Sequence, residues 1–292
     1  MLHTIYNHVI GKLTTVPLHN PTRILDWGTG TGEWAIAMGE DYPEAEVLGI
    51  DIARIQDSRV PVNVFFEIDD AEEDGEWTWS GNEFDLVHFR YMAGAFMDWK
   101  RIYRETFRNL KPGGYVEVID FDNHDSFLSY FDPDGPTARF MKALNAGMKK
   151  AGRPFGLVHL MPRLLRDAGF VNVSVSEKTI PMGAWPDDPE EKKIGKHFLV
   201  TRLWGAEAVC LRPLTEQLGW AIEDVTKLCD EVVDEIRTIG MDPVKGHGLN
   251  FKLRILTGKK PGGGLLEVDI PDGSSTMGDS IRTITQTNGG AH

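Results

Sequence analysis

A doubly wound α/β fold on a seven-stranded, mostly parallel sheet is what this sequence predicts, and three observations carry the expectation. Apolar runs of strand length alternate with helix-like stretches through the first half of the chain. A glycine turn, Gly28-Thr29-Gly30-Thr31-Gly32, joins the apolar pair Ile24-Leu25 to a helical pattern that opens at Glu33. A lone acid, Asp51, closes the next apolar run, Val47-Leu48-Gly49-Ile50. An acid on the second strand tip, roughly 20 residues past such a turn, is placed to accept the hydroxyls of a ribose.

The elements follow in order. Residues 1–20 hold one short amphipathic stretch around His3, Tyr6, His8 and Val9, read as a helix leaning over the ligand, before Pro17 and Pro21 break the pattern. Val62 to Ile68 alternates as a third strand ending in Asp69-Asp70, and Phe84 to Phe89 makes a fourth. Asp98 caps a helix from Trp99 to about Leu110, and Lys111-Pro112-Gly113-Gly114 turns into a fifth strand, Tyr115 to Ile119. Helices are expected over Ala138–Ala151 and over Met161–Ala168, the latter closed by Gly169, and Val171–Ile180 is a strand. Helical patterns then cover Lys196–Leu211, Thr215–Leu218 and Ile222–Ile239, before a last strand, Leu249–Leu256. The expected organisation is an N-terminal helical segment (1–20), a core domain (21–260) with cap insertions near 123–160 and 181–246, and a flexible tail (261–292) too poor in apolar residues to offset its ordering entropy.

Composition narrows the function classes. A net charge of -13 argues against a nucleic-acid groove, which needs clustered Lys and Arg. Apolar residues make up 41% of the chain, enough for a sizeable core, and no apolar run reaches membrane-span length, so no membrane partner is expected. The two cysteines, Cys210 and Cys229, lack metal-ligand spacing and read as buried free thiols; no metal is expected. No leader pattern is visible at the N-terminus, which points to a cytoplasmic protein.

The turn itself selects among adenosine cofactors. Dinucleotide folds need GxGxxG, with the third glycine beside a pyrophosphate, but here the pattern is GxGxG and Glu33 occupies the required glycine position. A carboxylate repels a pyrophosphate, whereas S-adenosylmethionine has no phosphate and carries a sulfonium and an ammonium, which tolerate Asp26 nearby. S-adenosylmethionine is therefore the expected cofactor. Parallel sheets bind ligands beyond the carboxyl ends of their strands, and Asp26, Asp51, Asp70, His88 and Asp120 all lie at or near those ends.

The ordered set LDWGTGTGEW (25–34), GIDI (49–52), FEIDDAEEDGEW (66–77), FDLVHFRYMAGAFMDW (84–99) and LKPGGYVEVIDFD (110–122) resembles the class I S-adenosylmethionine-dependent methyltransferases, with their Rossmann-like fold, and within them the LaeA-like group of fungal secondary metabolism. The resemblance implies that Asp26, Gly28, Gly30 and Gly32 surround the methionine portion of the cofactor, and that Asp51 and Ile52 hold the ribose and one adenine face. It further implies that Asp70 meets the exocyclic amine and the Ala71 backbone the ring nitrogen. His88, Phe89 and Arg90 fall where these enzymes place residues between cofactor and acceptor.

Methyl transfer is an in-line displacement in which the protein mainly aligns the reactants. His88 is the sequence's candidate base for a hydroxyl or amine acceptor; Arg90, Arg153 or Arg202 are candidate clamps for a carboxylate, which needs no base. Met182 to Pro186, with Phe198 and Trp204, offers aromatic area for a substrate roof. The leading expectation is transfer to a small-molecule acceptor in secondary metabolism. The alternatives are a LaeA-like regulator working through protein partners, in which case a nuclear location fits, and a catalyst of cyclisation that leaves the cofactor unconsumed.

Overall fold

The computed structural model describes residues 2–262 except positions 74, 123, 124 and 154. The chain runs α1 (Leu2–Ile10), β1 (Arg23–Trp27), α2 (Glu33–Asp41), β2 (Glu46–Asp51), β3 (Val64–Ile68), β4 (Phe84–Arg90), α3 (Trp99–Asn109) and β5 (Leu110–Asp122). It continues through α4 (Asp125–Leu128), α5 (Pro136–Lys150), α6 (Pro162–Asp167), β6 (Val171–Pro181), α7 (Pro189–Arg212), a π-helical turn (Pro213–Gln217), α8 (Ile222–Met241) and β7 (Asn250–Lys259). The tail expected over 261–292 lies outside the described residues from position 263 on.

One sheet of seven strands results, in the order β3-β2-β1-β4-β5-β7-β6. The first five strands pair in parallel, and β7 runs antiparallel between β5 and β6. Helices cover both faces, which is why β1 and β4 are buried along most of their length instead of alternating buried and exposed. Ile24 and Leu25 point to opposite faces. Ile24, with Val47 and Leu86, packs on Trp34, Ala35 and Met38 of α2; Leu25, with Leu48 and Val87, packs on the side of Trp99, Ile102 and Tyr103 of α3. Each such fully buried aliphatic side chain contributes roughly 1.5–3 kcal/mol. A third cluster gathers α1, α5, α7 and α8 around Phe121, Phe198 and Phe251.

Three local outcomes differ from the sequence pattern. The Lys111-Pro112-Gly113-Gly114 segment is not a turn ahead of the fifth strand but lies within it, because its backbone is paired: Gly113 N–H donates to Lys260 O at 2.9 Å and Lys260 N–H to Gly114 O at 2.8 Å. Helix α7 starts at Pro189, well before Lys196, because the Asp188 carboxylate caps it by accepting from the backbone N–H of Glu190 and Glu191. The Thr215–Leu218 segment, expected as a helix, is instead the π-helical turn. Asp98 caps α3 in the expected way, accepting from Lys100 and Arg101 N–H.

The segment between α1 and β1 is held by one buried carboxylate. Glu117, fully buried in β5, accepts from the Thr14 hydroxyl at 2.8 Å, from Thr15 N–H at 2.7 Å and from the Thr15 hydroxyl. Trp34 adds a fourth tie by donating its indole N–H to Leu13 O at 2.8 Å. Substituting Glu117→Ala should strand the Thr15 N–H and Thr14 hydroxyl and cost about 3 kcal/mol of stability by denaturant titration. Amide exchange should speed up in residues 2–16, ahead of the rest of the chain.

Candidate functional site

At the carboxyl edge of the sheet the glycine turn and Asp51 form one hydrogen-bonded unit. Thr29 N–H donates to Ile50 O at 2.9 Å, and Gly30 N–H donates to Asp51 Oδ2 at 2.9 Å. The other carboxylate oxygen of Asp51 accepts from Ala53 N–H at 3.0 Å. Asp51 is thus aimed along the rim, with both oxygens anchored by backbone. The turn needs glycine for definite reasons. Gly32 has φ 81°, and a Cβ there would fall 2.3 Å from the tip of Phe66; Gly30 has φ 59°, and a Cβ there would meet nothing within 4 Å, so the turn borders open space.

Beside this unit lies a cavity of about 550 Å³ bordered by Gly28, Asp51, Ile52, Asp70, Ala71 and Tyr91. Ile52 is 73% exposed, an apolar side chain left on the rim. Asp70 is fixed by its Oδ1 accepting from Glu72 N–H at 2.9 Å, and Ala71 is buried with its carbonyl accepting from the Trp77 indole. Across the cavity stand Ala208, Val209 and Arg212 near the end of α7.

A second cavity, of about 430 Å³, adjoins the first; Tyr91, Ala208 and Val209 border both. Its walls are largely apolar, with Phe127, Phe140, Leu144, Phe155, Met182 and Phe251 among them. Polar groups are few: Asp120, Thr137, Thr201 and Arg202 besides Tyr91. The Asp120 carboxylate accepts from Met92 N–H and Phe121 N–H, each at 2.8 Å, and from Nε2 of the buried His159 at 3.0 Å. His159 in turn stacks on Trp99.

Several residues that the sequence placed at the rim sit elsewhere. Asp26, His88 and Glu117 are register partners across β1, β4 and β5, so their side chains form one buried row on the α2 face, short of the strand tips. Nδ1 of His88 donates to Asp26 Oδ1 at 2.8 Å, and the ring stacks on Trp34 at 3.7 Å and 4°. The second oxygen of Asp26 accepts from the Thr29 hydroxyl at 2.7 Å. His88, expected between cofactor and acceptor, is fully buried and borders neither cavity. Arg90, expected in the same role, lies beneath α1, its guanidinium 4.7 Å from the Tyr6 ring and 3.4 Å from His3 Nδ1. Burial, and then the neighbouring Arg90, lower the His3 pKa. Burial, and then Asp120, push the Tyr6 phenol well above its usual range.

Of the candidate clamps, Arg153 bonds the Ala95 carbonyl and pairs with Glu72 at 3.1 Å, whereas Arg202 borders the second cavity. Within the expected roof, Met182 and Trp204 border that cavity; Trp185 instead donates to Leu249 O at 2.9 Å and packs by His247. Reasoning from sequence missed Tyr91, which with Ala208 and Val209 borders both cavities. Its signal was slight: a bulky residue one step past a strand tip, here at φ 61°.

A model of the methyltransferase domain family matches residues 2–175, and the chain belongs to that family. The methyltransferase pytC of Aspergillus terreus is 37% identical over 242 residues, covering 80% of this chain and 73% of that protein. The secondary metabolism regulator LAE1 of Cochliobolus heterostrophus is 32% identical over 257 residues, covering 86% and 82%. Among solved structures, the [4+2]-cyclase SpnF superposes with a TM-score of 0.50 at 19% identity, over 89% of this chain and 79% of that one, a likeness of fold alone. The protein is an S-adenosylmethionine-dependent methyltransferase, and the rim fits that cofactor: the turn opens to free space at Gly30, and a carboxylate and an apolar side chain stand together at Asp51 and Ile52. Among the described residues no helix is long and apolar enough to cross a membrane.

The turn's geometry can be tested by itself. Gly32→Ala should lower stability by about 2 kcal/mol, through its left-handed backbone and the displaced Phe66 ring. A double-mutant cycle with Phe66→Ala, read by denaturant titration, should return roughly 1 kcal/mol of coupling.

Proposed function

We propose that the protein transfers the methyl group of S-adenosylmethionine to a small molecule held in the second cavity. The observation that carries this reading is the contact of the two cavities: one bordered by the glycine turn and Asp51, the other mostly apolar, with Tyr91, Ala208 and Val209 bordering both. A volume of about 430 Å³ suits a compact metabolite.

In this reading Asp51 accepts from the ribose hydroxyls, Ile52 covers one adenine face, Asp70 accepts from the exocyclic amine and the Ala71 backbone meets the ring nitrogen. Gly28, Gly30 and Gly32 let the backbone approach the methionine portion. Asp26 and His88 act as positioning residues, holding Thr29 and Trp34 beneath the turn, and Arg90 supports the N-terminal cover. When bound, the cofactor supplies a methyl carbon already activated by a sulfonium. The protein's share is alignment of the acceptor and exclusion of water, for which the aromatic walls and the α7 wall are suited. The acceptor's location in secondary metabolism is part of the proposal, supported by the relatedness to LAE1.

That same relative favours a second reading, a regulator that works through protein partners. Isotopically labelled methyl donor separates the two. Incubated with a metabolite extract, the protein should place label in a small molecule; label confined to the protein fraction, with none in any metabolite, would favour the regulator. Calorimetry with S-adenosylhomocysteine should show binding that Asp51→Ala weakens roughly a hundredfold, the loss of two hydrogen bonds to a charged acceptor.

A further inference from the structure

Among the described residues, the second cavity is bordered by one cation that no carboxylate pairs with. Arg202, on α7, is the only basic side chain among the described residues that border it. Its guanidinium carbon lies 5.3 Å from the Phe251 ring centroid, 5.6 Å from Phe121, 5.9 Å from Tyr91 and 6.0 Å from Phe198. Its one hydrogen bond among the described residues is Nη1 donating to the Tyr91 hydroxyl at 3.1 Å. Among the described residues no carboxylate comes within ion-pair distance of it, whereas Arg153 and Arg254 each have such a partner. Ring faces offset part of the cost of drawing a guanidinium away from water, and most of its donor fork is left free of protein acceptors among the described residues, open to a ligand.

Position adds to this. Tyr91, which borders both cavities, accepts a hydrogen bond from Arg202, so the guanidinium in the second cavity is one contact away from the residue that also borders the first. Farther along the same cavity wall the Thr137 hydroxyl is buried with no hydrogen-bond partner, and the residue is 1% exposed. The only carboxylate in the described lining, Asp120, already accepts from two backbone N–H groups and His159, so its charge is met locally.

We infer that the acceptor is a monocarboxylate with an apolar, largely aromatic-compatible body, held by a two-point grip of its carboxylate on Arg202, with a polar group at its other end reaching Thr137. A planar fork matches a carboxylate, and a single cation is too little for a phosphate. The step balances without a base: a carboxylate oxygen forms the bond to the methyl carbon, the carbon–sulfur bond breaks with its electron pair going to sulfur, and a neutral methyl ester and a neutral thioether leave. No proton is released, in keeping with the absence of a free base among the described polar residues of the cavity.

This inference rests on the methyl-transfer reading, and the test keeps the two apart. The probes are 2-naphthoate and 4-phenylbutyrate against their primary amides, titrated calorimetrically into the protein with and without saturating S-adenosylhomocysteine. At least one acid should bind tenfold or more tighter than its amide. Arg202→Met should erase that preference while changing S-adenosylhomocysteine affinity less than twofold; Arg202→Lys, which keeps charge but not the fork, should retain part of it. With labelled methyl donor, a bound acid should yield a base-labile product that releases labelled methanol. Acids that bind no better than amides, or not at all, or a preference that survives in Arg202→Met, would overturn the inference. Should Arg202→Met fail to fold, the acid-to-amide ratio of the parent and Arg202→Lys still decide it. Failure of the parent to bind S-adenosylhomocysteine would count against methyl transfer alone, since the acid and amide titrations are also read without it.

Discussion

Strand order imposes the constraint on which the rest depends. Because β2 and β3 extend the sheet from one side of β1, and β4 and β5 from the other, the connections out of β1 and β4 leave toward opposite faces: α2 packs with Ile24 and Leu86, α3 on the side of Leu25 and Val87. Neither of these connecting helices then covers the rim above the two strands, and an opening persists at their carboxyl ends. The glycine turn follows β1 at this opening, and Tyr91 directly follows β4. The site's location is a consequence of topology; its chemistry is supplied by a handful of side chains brought to that rim.

What supports the rim is a buried polar row. Asp26, His88 and Glu117 lie side by side because β1, β4 and β5 are in parallel register, and each is used in hydrogen bonding. Asp26 fixes the turn through Thr29, His88 carries Trp34 on its ring, and Glu117 with Trp34 fastens the segment after α1. Buried carboxylates are costly unless satisfied, and here they receive backbone and hydroxyl donors. The row couples the N-terminal segment to the turn through contiguous contacts.

The parts legible in the sequence were those governed by local rules. Glycine at positive φ, an acid ending an apolar run, an Asp before a helix and short, largely apolar strands all follow from one stretch of chain. His88 and Arg90 were misplaced because a strand's side chains alternate, and the identity of the tip residue decides which face each one meets. The second cavity was only partly legible. Helix α7 buries Ile194, Phe198, Leu199 and Cys210 in the core while presenting Arg202, Trp204 and Ala208 to the cavities, so no single face announces its role. Cys210 and Cys229 are buried free thiols, as the sequence suggested, and their sulfurs also meet at 3.4 Å between α7 and α8, a proximity that spacing alone could not reveal.

The most direct measurement is a crystal structure of the protein grown with S-adenosylhomocysteine. The account predicts the nucleoside over the tips of β1 and β2, its ribose hydroxyls on the Asp51 carboxylate, its base between Ile52 and the Asp70-Ala71 segment, and its sulfur directed toward Tyr91 and the second cavity. A nucleoside bound away from Asp51, or one whose sulfur faces away from Tyr91, would contradict it.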